Sequence, residues 1–215
     1  MSVSTTKFSQ TETLVITAMM IAVTVILMTT PIGTIRLPLV SITIAHIPAI
    51  ITAIVIGLGK GLVVALALGL SSLLMAAISP GTILDPFFVN PLVSVLPRIL
   101  IPITTYFSYH VTKRFLKRLT AGEYLAIVIS VVIGNLTNTF GVYTMLYLVY
   151  ARQIFEKTGN DALGLILTAI STTTVLKCIA VVIIVTPIVL ALNKVYNKRN
   201  INTTLKNRSE SSMVS

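Results

Sequence analysis

The sequence predicts an all-α integral membrane protein with six transmembrane helices, both termini in the cytoplasm and an extended apolar loop after the first helix. Of its 215 residues, 55% are hydrophobic and only 10% are charged, whereas about a quarter of an average soluble protein is charged. The mean hydropathy is +0.96, and uncharged stretches reach about 20 residues, the length of a helix that crosses a bilayer. Soluble, disordered and disulfide-rich classes are excluded, and the single Cys178 cannot form an intramolecular disulfide.

Apolar segments bounded by proline, glycine and charge predict the six spans. They cover residues 12–30, 44–59, 61–78, 90–112, 122–150 and 163–193. The second span is short, so it crosses only if it tilts, if the lipid is locally thin, or if it lies behind its neighbours. We therefore divide the chain into a transmembrane domain, 1–196, and a polar cytoplasmic tail, 197–215, which we expect to be disordered.

The first span is predicted to be a membrane helix rather than a cleavable signal peptide. Its apolar run from Leu14 to Met28 leads into Thr-Thr-Pro without a small-x-small cleavage site. The following segment, 31–43, breaks helical periodicity, and Pro31 and Pro38 favour an extended conformation. Because this segment is apolar yet predicted to lie outside, it is a candidate lid.

The positive charges predict the orientation of the chain. Three of the sixteen Lys and Arg residues, Arg36, Arg152 and Lys157, fall at one set of span ends. Eleven fall at the other set: Lys7, Lys60, Lys113, Arg114, Lys117, Arg118, Lys194, Lys198, Arg199, Lys206 and Arg208. Cytoplasmic ends carry the excess of positive charge, so both termini are predicted to be cytoplasmic. The net charge of +10 therefore reflects topology rather than nucleic-acid binding.

Two cations lie inside predicted spans. Helical spacing sets Asn90, Ser94 and Arg98 on one face, which cannot point at lipid because a cation near the bilayer centre costs about 2.5–3.5 kcal/mol. The alternative interpretation is that the Arg98 side chain extends to the outer lipid headgroups. Lys177 is likewise a cation inside an apolar span, the sixth, and Thr173 and Thr174 can share its face. The alternative interpretation is that Lys177 binds backbone carbonyls left free by a break in the helix.

The fifth span carries a polar stripe in which Asn135 and Asn138 are i, i+3 neighbours, followed by Thr139. Buried asparagines of this kind either read polar groups of a ligand or join helices, an interaction worth roughly 0.6–2 kcal/mol. Near the start of the second span, His46 is expected to be a hydrogen-bonding core or interfacial residue rather than a ligand.

All six acids are predicted to lie at span ends or in loops. They are Glu12, Asp85, Glu123, Glu156, Asp161 and Glu210. Arg98 and Lys177 then have no carboxylate partner at membrane depth, so an anionic ligand entering from outside is expected to neutralise them. The same absence argues against proton-coupled transport and against a cationic substrate.

Small residues recur at intervals of four, a spacing that lets helices approach closely. Ala18 and Ala22 form such a pair in the first span, and Gly61, Ala65 and Gly69 form a longer stripe in the third. Spacing alone favours packing inside the molecule for both.

The chain carries no enzyme signature, and we predict no catalytic or metal site and no cofactor. HExxH and GxSxG are absent, and the GLGKG segment at 57–61 lacks the GxxxxGK[ST] spacing of a phosphate-binding loop. If the protein drives uptake, a partner must hydrolyse ATP.

The segments TIAHIPAIITAIVIGLGKG, GLSSLLMA and FVNPLVSVLPRIL, within residues 31–105, resemble the substrate-binding S components of energy-coupling factor (ECF) vitamin transporters, and in particular their pantothenate-specific PanT branch. This resemblance implies a six-helix protein of the bacterial plasma membrane that captures a vitamin at its outer side. It also implies two kinds of partner, a transmembrane coupling subunit of the EcfT type and two cytoplasmic ATPases. On this resemblance Ala18 and Ala22 contact the coupling subunit.

Pantothenate fits the residues independently, because one carboxylate, an amide and two hydroxyls require a cation and several hydrogen-bonding groups. We therefore assign Arg98 to the carboxylate, Asn135 and Asn138 to amide or hydroxyl groups, and Asn90 and Lys177 to lesser polar roles. Three alternatives stay open: an S component for another vitamin or precursor, a noncatalytic membrane assembly protein and an intramembrane enzyme.

Overall fold

The structure, a computed structural model, describes residues 9–36, 41–82, 84–158, 164 and 174–195. Its helices are α1 (Gln10–Thr29), α2 (Ile47–Val55), α3 (Leu58–Ile78), α4 (Pro91–Ser94), α5 (Leu96–Phe115), α6 (Gly122–Thr158) and α7 (Thr174–Val195). Two short strands, β1 (Thr34–Arg36) and β2 (Ser41–Thr43), and a 3-10 helix, Asp85–Val89, complete the described elements.

Five of the described helical segments are long and apolar enough to cross a membrane. They are α1, α3, α4 with α5, α6 and α7. The second predicted span differs from the rest, because α2 has only nine residues, or roughly 14 Å of helix against a hydrocarbon core of about 30 Å. The first part of the sixth predicted span, 163–173, lies outside the described residues except for Gly164, as does the predicted tail, 197–215.

Helix α1 begins with a capping box, in which the Ser9 hydroxyl accepts from the Glu12 backbone N–H and the Glu12 carboxylate accepts from the Ser9 N–H. These bonds satisfy two of the N–H groups that a helix start leaves free. Thr17 and Thr24 face the bundle, and each hydroxyl donates to the backbone carbonyl four residues earlier. The opposite face of α1 is exposed.

The predicted extended loop after the first helix is a β-hairpin. Strands β1 and β2 pair antiparallel, with Thr34 opposite Thr43 and their hydroxyl oxygens 3.3 Å apart. Gly33 lets the hairpin approach the end of α1, because a Cβ there would lie only 2.1 Å from the Leu27 carbonyl oxygen. The hairpin is therefore held against α1 by close backbone contact.

The core forms where α2 is surrounded by its neighbours. All nine residues of α2 are buried, and they pack with side chains of α3, α5, α6 and α7. Gly61 and Gly69 have no room for a side chain, since a Cβ would lie 2.9 Å from the Ala53 Cβ and 2.9 Å from the Val95 Cα, respectively. Ala65, between them, is fully buried. The stripe on α3 therefore packs inside the molecule, as predicted.

A second cluster joins the 3-10 helix and α4 to the far part of α6. Leu84, Phe87 and Val93 pack there with Leu146, and the rings of Phe87 and Tyr150 lie 4.7 Å apart. This cluster fixes the connection between α3 and α5 against α6.

The other end of the bundle brings three helices together around Glu123, at the start of α6. Its Oε1 atom lies 3.4 Å from Lys113 Nζ of α5 and accepts from Asn193 Nδ2 of α7 at 3.1 Å. Helix α6 therefore runs antiparallel to both α5 and α7, with the second cluster at the opposite end of the bundle.

Candidate functional site

A cavity of about 100 Å³ opens at the end of the bundle that carries the hairpin. Its walls come from the hairpin, the end of α3, the 3-10 segment and the facing sides of α5, α6 and α7. The lining mixes apolar side chains with ten polar ones besides Tyr143: Thr34, Thr43, Ser72, Ser79, Thr82, Asp85, Arg98, Asn138, Thr139 and Lys177. An apolar hollow with a few converging polar groups is the usual form of a small-molecule site.

Arg98 lies in this lining, in the first turn of α5, and is only 6% exposed. The local sequence explains its position, because Pro97 has no N–H with which to bond the Val93 carbonyl four residues earlier. Arg98 Nη1 donates to that carbonyl at 2.8 Å, and Nη2 donates to Ser72 Oγ at 3.1 Å. The guanidinium carbon also lies 5.2 Å from the centre of the Phe88 ring. Arg98 is thus anchored at the cavity wall.

Lys177 of α7 reaches the same cavity and is 9% exposed. Its Nζ atom donates to Thr139 Oγ1 at 3.4 Å, near the limit for a hydrogen bond. Thr174 also belongs to α7, whereas Thr173 lies outside the described residues. Among the residues that the structure describes, no carboxylate lies within ion-pair distance of Arg98 or Lys177. Two like charges that repel each other therefore line one hollow.

The two asparagines of α6 occupy different environments. Asn138 lines the cavity, is 4% exposed and has no side-chain hydrogen bond within the described parts of the chain. Asn135 is outside the lining, where its Oδ1 lies 3.0 Å from His46 Nε2 and its Nδ2 donates to Cys178 Sγ at 2.8 Å. Asn135 therefore joins α6 to α7 and to the start of α2.

Asn90 also lies outside the cavity lining. Its Oδ1 accepts from the Leu92 backbone N–H at 3.0 Å, which caps α4, and its Nδ2 donates to the Tyr150 hydroxyl at 3.1 Å. Asn90 does not continue the face of Arg98 as predicted, because it is the N-cap of α4 and its backbone is extended, with ψ of 123°.

Asp85 lies in the connection between α3 and α4, where the sequence predicts a loop, and this connection borders the cavity. Its side chain lines the same cavity without pairing to Arg98 or Lys177. Its Oδ2 atom accepts from the backbone N–H groups of Gly81 and Thr82, at 2.8 Å and 2.9 Å. The Asp-Pro pair at the start of the 3-10 helix signals such a turn in the sequence, but nothing local indicates that the turn faces a cavity.

The charged groups of the lining are unequal in number. Two cations and one carboxylate give the lining a net positive charge, and the hydroxyls around them supply further donors and acceptors. No group of three His, Cys, Asp or Glu side chains in the described part of the chain is placed to hold a metal ion.

A second candidate surface is the exposed face of α1. Ala18 and Ala22 lie at its centre, one turn apart, opposite the buried Thr17 and Thr24. Large exposed side chains, including Leu14 and Ile26, flank the two alanines. The face is therefore an apolar strip with a shallow centre, in contact with no other described element.

Comparison with known proteins identifies the family. A family model described as "ECF transporter, substrate-specific component" matches residues 12–189. No individual curated protein matches the chain significantly. Members of this family are multi-pass membrane subunits that bind a small-molecule substrate for transport and are not catalytic, and they work with EcfT and ATPase partners. The chain belongs to the family of substrate-specific components of ECF transporters.

Proposed function

We propose that the chain is the vitamin-binding S component of an ECF importer and that its substrate is pantothenate. The observation that carries this proposal is the pair of buried cations, Arg98 and Lys177, which line one cavity without pairing to a carboxylate of the described residues. A buried charge without a partner is costly, so a ligand that brings a carboxylate into the cavity gains strong charge-assisted hydrogen bonds.

The polar residues of the cavity match the remaining groups of pantothenate. Arg98 and Lys177 take its carboxylate, and Asn138, whose amide has no partner among the described residues, bonds the amide or a hydroxyl of the ligand. Asn135 and Asn90 act indirectly, because their side chains hold neighbouring elements in place. The aliphatic skeleton of pantothenate suits the apolar part of the lining, and no large aromatic platform is required.

We infer that the chain crosses the bacterial plasma membrane six times, with both termini cytoplasmic and the cavity facing outward. The sixth crossing combines α2 with the extended residues before it. The antiparallel packing of α6 against α5 and α7 supports this topology. Lys113 and Lys194 then lie at the cytoplasmic side, and the hairpin lies at the outer side with the cavity.

The exposed strip of α1 fits the transmembrane coupling subunit. Ala18 and Ala22 leave room for a helix of EcfT to approach closely, while the surrounding apolar side chains provide contact area. The two ATPase subunits bind on the cytoplasmic side and supply the ATP hydrolysis for which this chain has no motif.

The binding site is tested by calorimetry with purified protein and pantothenate. Replacing Lys177 by Met or Asn138 by Ala should weaken binding, and loss of the charged contact of Lys177 should cost about 1.5–3 kcal/mol, or roughly ten- to a hundredfold in Kd. Lys194→Met is the matched control, because it removes an exposed lysine at the far end of the same helix. Pantothenol, in which a hydroxymethyl group replaces the carboxylate, should bind weakly to all four proteins.

Each alternative gives a different result. If another carboxylate vitamin is the substrate, it will bind more tightly than pantothenate in a ligand panel and will be found by mass spectrometry in the purified protein. A membrane assembly protein will bind no ligand saturably and will retain its partners in pull-downs. Wild-type affinity in both the Lys177 and Asn138 variants would remove this site from the proposal.

A further inference from the structure

The charged residues of the cavity differ in burial. The cations Arg98 and Lys177 belong to helices α5 and α7, and each is less than a tenth exposed. Asp85 belongs to the connection that follows α3 and is only partly buried. A ligand in this cavity therefore meets two positive charges on buried helix residues and one negative charge on the partly buried connection.

The Asp85 carboxylate is held in a fixed position. Its Oδ2 accepts two backbone N–H groups, those of Gly81 and Thr82, and the 3-10 helix that begins at Asp85 is packed on α6 through Phe87. Its Oδ1 accepts no hydrogen bond from the described residues. Beside it, the Thr82 hydroxyl lines the cavity and is buried without a partner there. These groups place hydrogen-bond acceptors in this part of the cavity wall.

We propose that Asp85 is a specificity-determining residue that excludes ligands with a second negative charge at their outer end. This inference rests on the proposed function, since it requires the ligand carboxylate to lie against Arg98 and Lys177. The opposite end of the ligand then lies near Asp85, which tolerates a hydroxyl but repels a phosphate or carboxylate. The cavity thereby selects pantothenate against its phosphorylated derivative, and it fixes the ligand with its hydroxyl end outward.

The test is competition for labelled pantothenate on the purified full chain. The competitors are unlabelled pantothenate and phosphopantothenate, which carries a phosphate on the primary hydroxyl. We expect the phosphorylated compound to compete at least about a hundredfold more weakly with the wild-type chain, and we expect Asp85→Asn to reduce that ratio by about tenfold. The asparagine amide oxygen still accepts from Gly81 and Thr82, so the turn is kept, and the ratio of the two affinities reports the effect of the lost charge.

Two further variants make the result specific. Asp85→Ser keeps a turn-forming oxygen without the charge and should behave as Asp85→Asn does. Glu123→Gln changes the net charge equally at the opposite end of the bundle and should leave the ratio unchanged.

The inference fails on its own if pantothenate binds tightly and the ratio is the same in the wild type and both Asp85 variants, because exclusion is then steric. It also fails if the Asp85 variants fold but lose pantothenate together with the phosphorylated compound. If the wild type binds no pantothenate, the proposed function fails, and this inference fails with it.

Discussion

Helices α1 and α3 carry the same sequence pattern in opposite surroundings. Each has small residues four positions apart, Ala18 and Ala22 in α1 and Gly61, Ala65 and Gly69 in α3. In α3 the small residues face Ala53, Pro102 and Val95 at distances that leave no room for a larger side chain. In α1 the alanines are exposed at the centre of an apolar strip.

The difference shows that spacing predicts close approach but does not identify the partner. In α3 that partner is the chain itself, because α2 and the start of α5 pack directly on the stripe. In α1 the buried side carries Thr17 and Thr24, whose hydroxyls bond to carbonyls of the same helix, and the alanines face outward. Internal packing, which spacing favours for both helices, holds for α3 and is wrong for α1.

Of the substitutions that test this difference between α1 and α3, a bulky residue in the buried stripe of α3 should have the largest effect on stability. Gly69→Val brings side-chain atoms against the backbone of Val95, where a Cβ alone would lie within 2.9 Å. Overpacking of this kind should lower the free energy of unfolding by about 2–3 kcal/mol and the Tm by roughly 5–10 °C. Size-exclusion chromatography of heated, detergent-solubilised protein measures the change. An unaltered Tm would mean that α3 and α5 are less closely packed than described.

A bulky residue in the exposed stripe should leave the fold intact and disrupt assembly. Ala22→Trp should change the Tm by less than about 2 °C, because no described element lies over Ala22. It should weaken co-purification with EcfT by at least about tenfold, since an indole prevents close helix approach. Val23→Trp is the control, because Val23 is exposed about 100° further round the same helix. If the Ala22 and Val23 variants co-purify equally with EcfT, the interface does not lie on the alanine face.

The smallest effects should come from adding one methyl group to neighbouring glycines of α3. A Cβ at Gly59 meets nothing within 4 Å, so Gly59→Ala should stabilise the helix by about 0.5 kcal/mol. A Cβ at Gly61 would lie 3.0 Å from the Pro102 Cβ, so Gly61→Ala should destabilise the protein by about 1 kcal/mol. Thermal denaturation of the two variants side by side compares them, and a shift of the same sign in both would contradict the described packing.

The sequence was sufficient to predict the membrane class and the burial of Arg98 and Lys177. A charge inside an apolar segment must turn away from lipid, so its surroundings follow from its position alone. The separation of Asn138 from Asn135 could not be predicted, because residues three apart on a helix differ by about 60° in direction and only the packing of α6 decides which faces the cavity.

The position of Asp85 at the cavity and the short length of α2 could not be predicted either, because both depend on tertiary contacts. The path that brings Asp85 to the cavity is set by Phe87 against Tyr150, two residues far apart in sequence. The apolar composition of the second span is equally compatible with a full-length helix and with the short one observed. Hydropathy records which residues avoid water, but it does not record where a buried backbone stops being helical.

The short α2 has a consequence for how a hollow of this kind exists within a membrane protein. Non-helical backbone is tolerated at such depth only when protein or a hydrated recess surrounds it. Because α2 begins at Ile47, the preceding stretch is free to run as a strand, and its Thr43 hydroxyl lies on the wall of the recess. A helix continued by two more turns would occupy that volume with side chains. The short length of α2 therefore leaves space for the cavity.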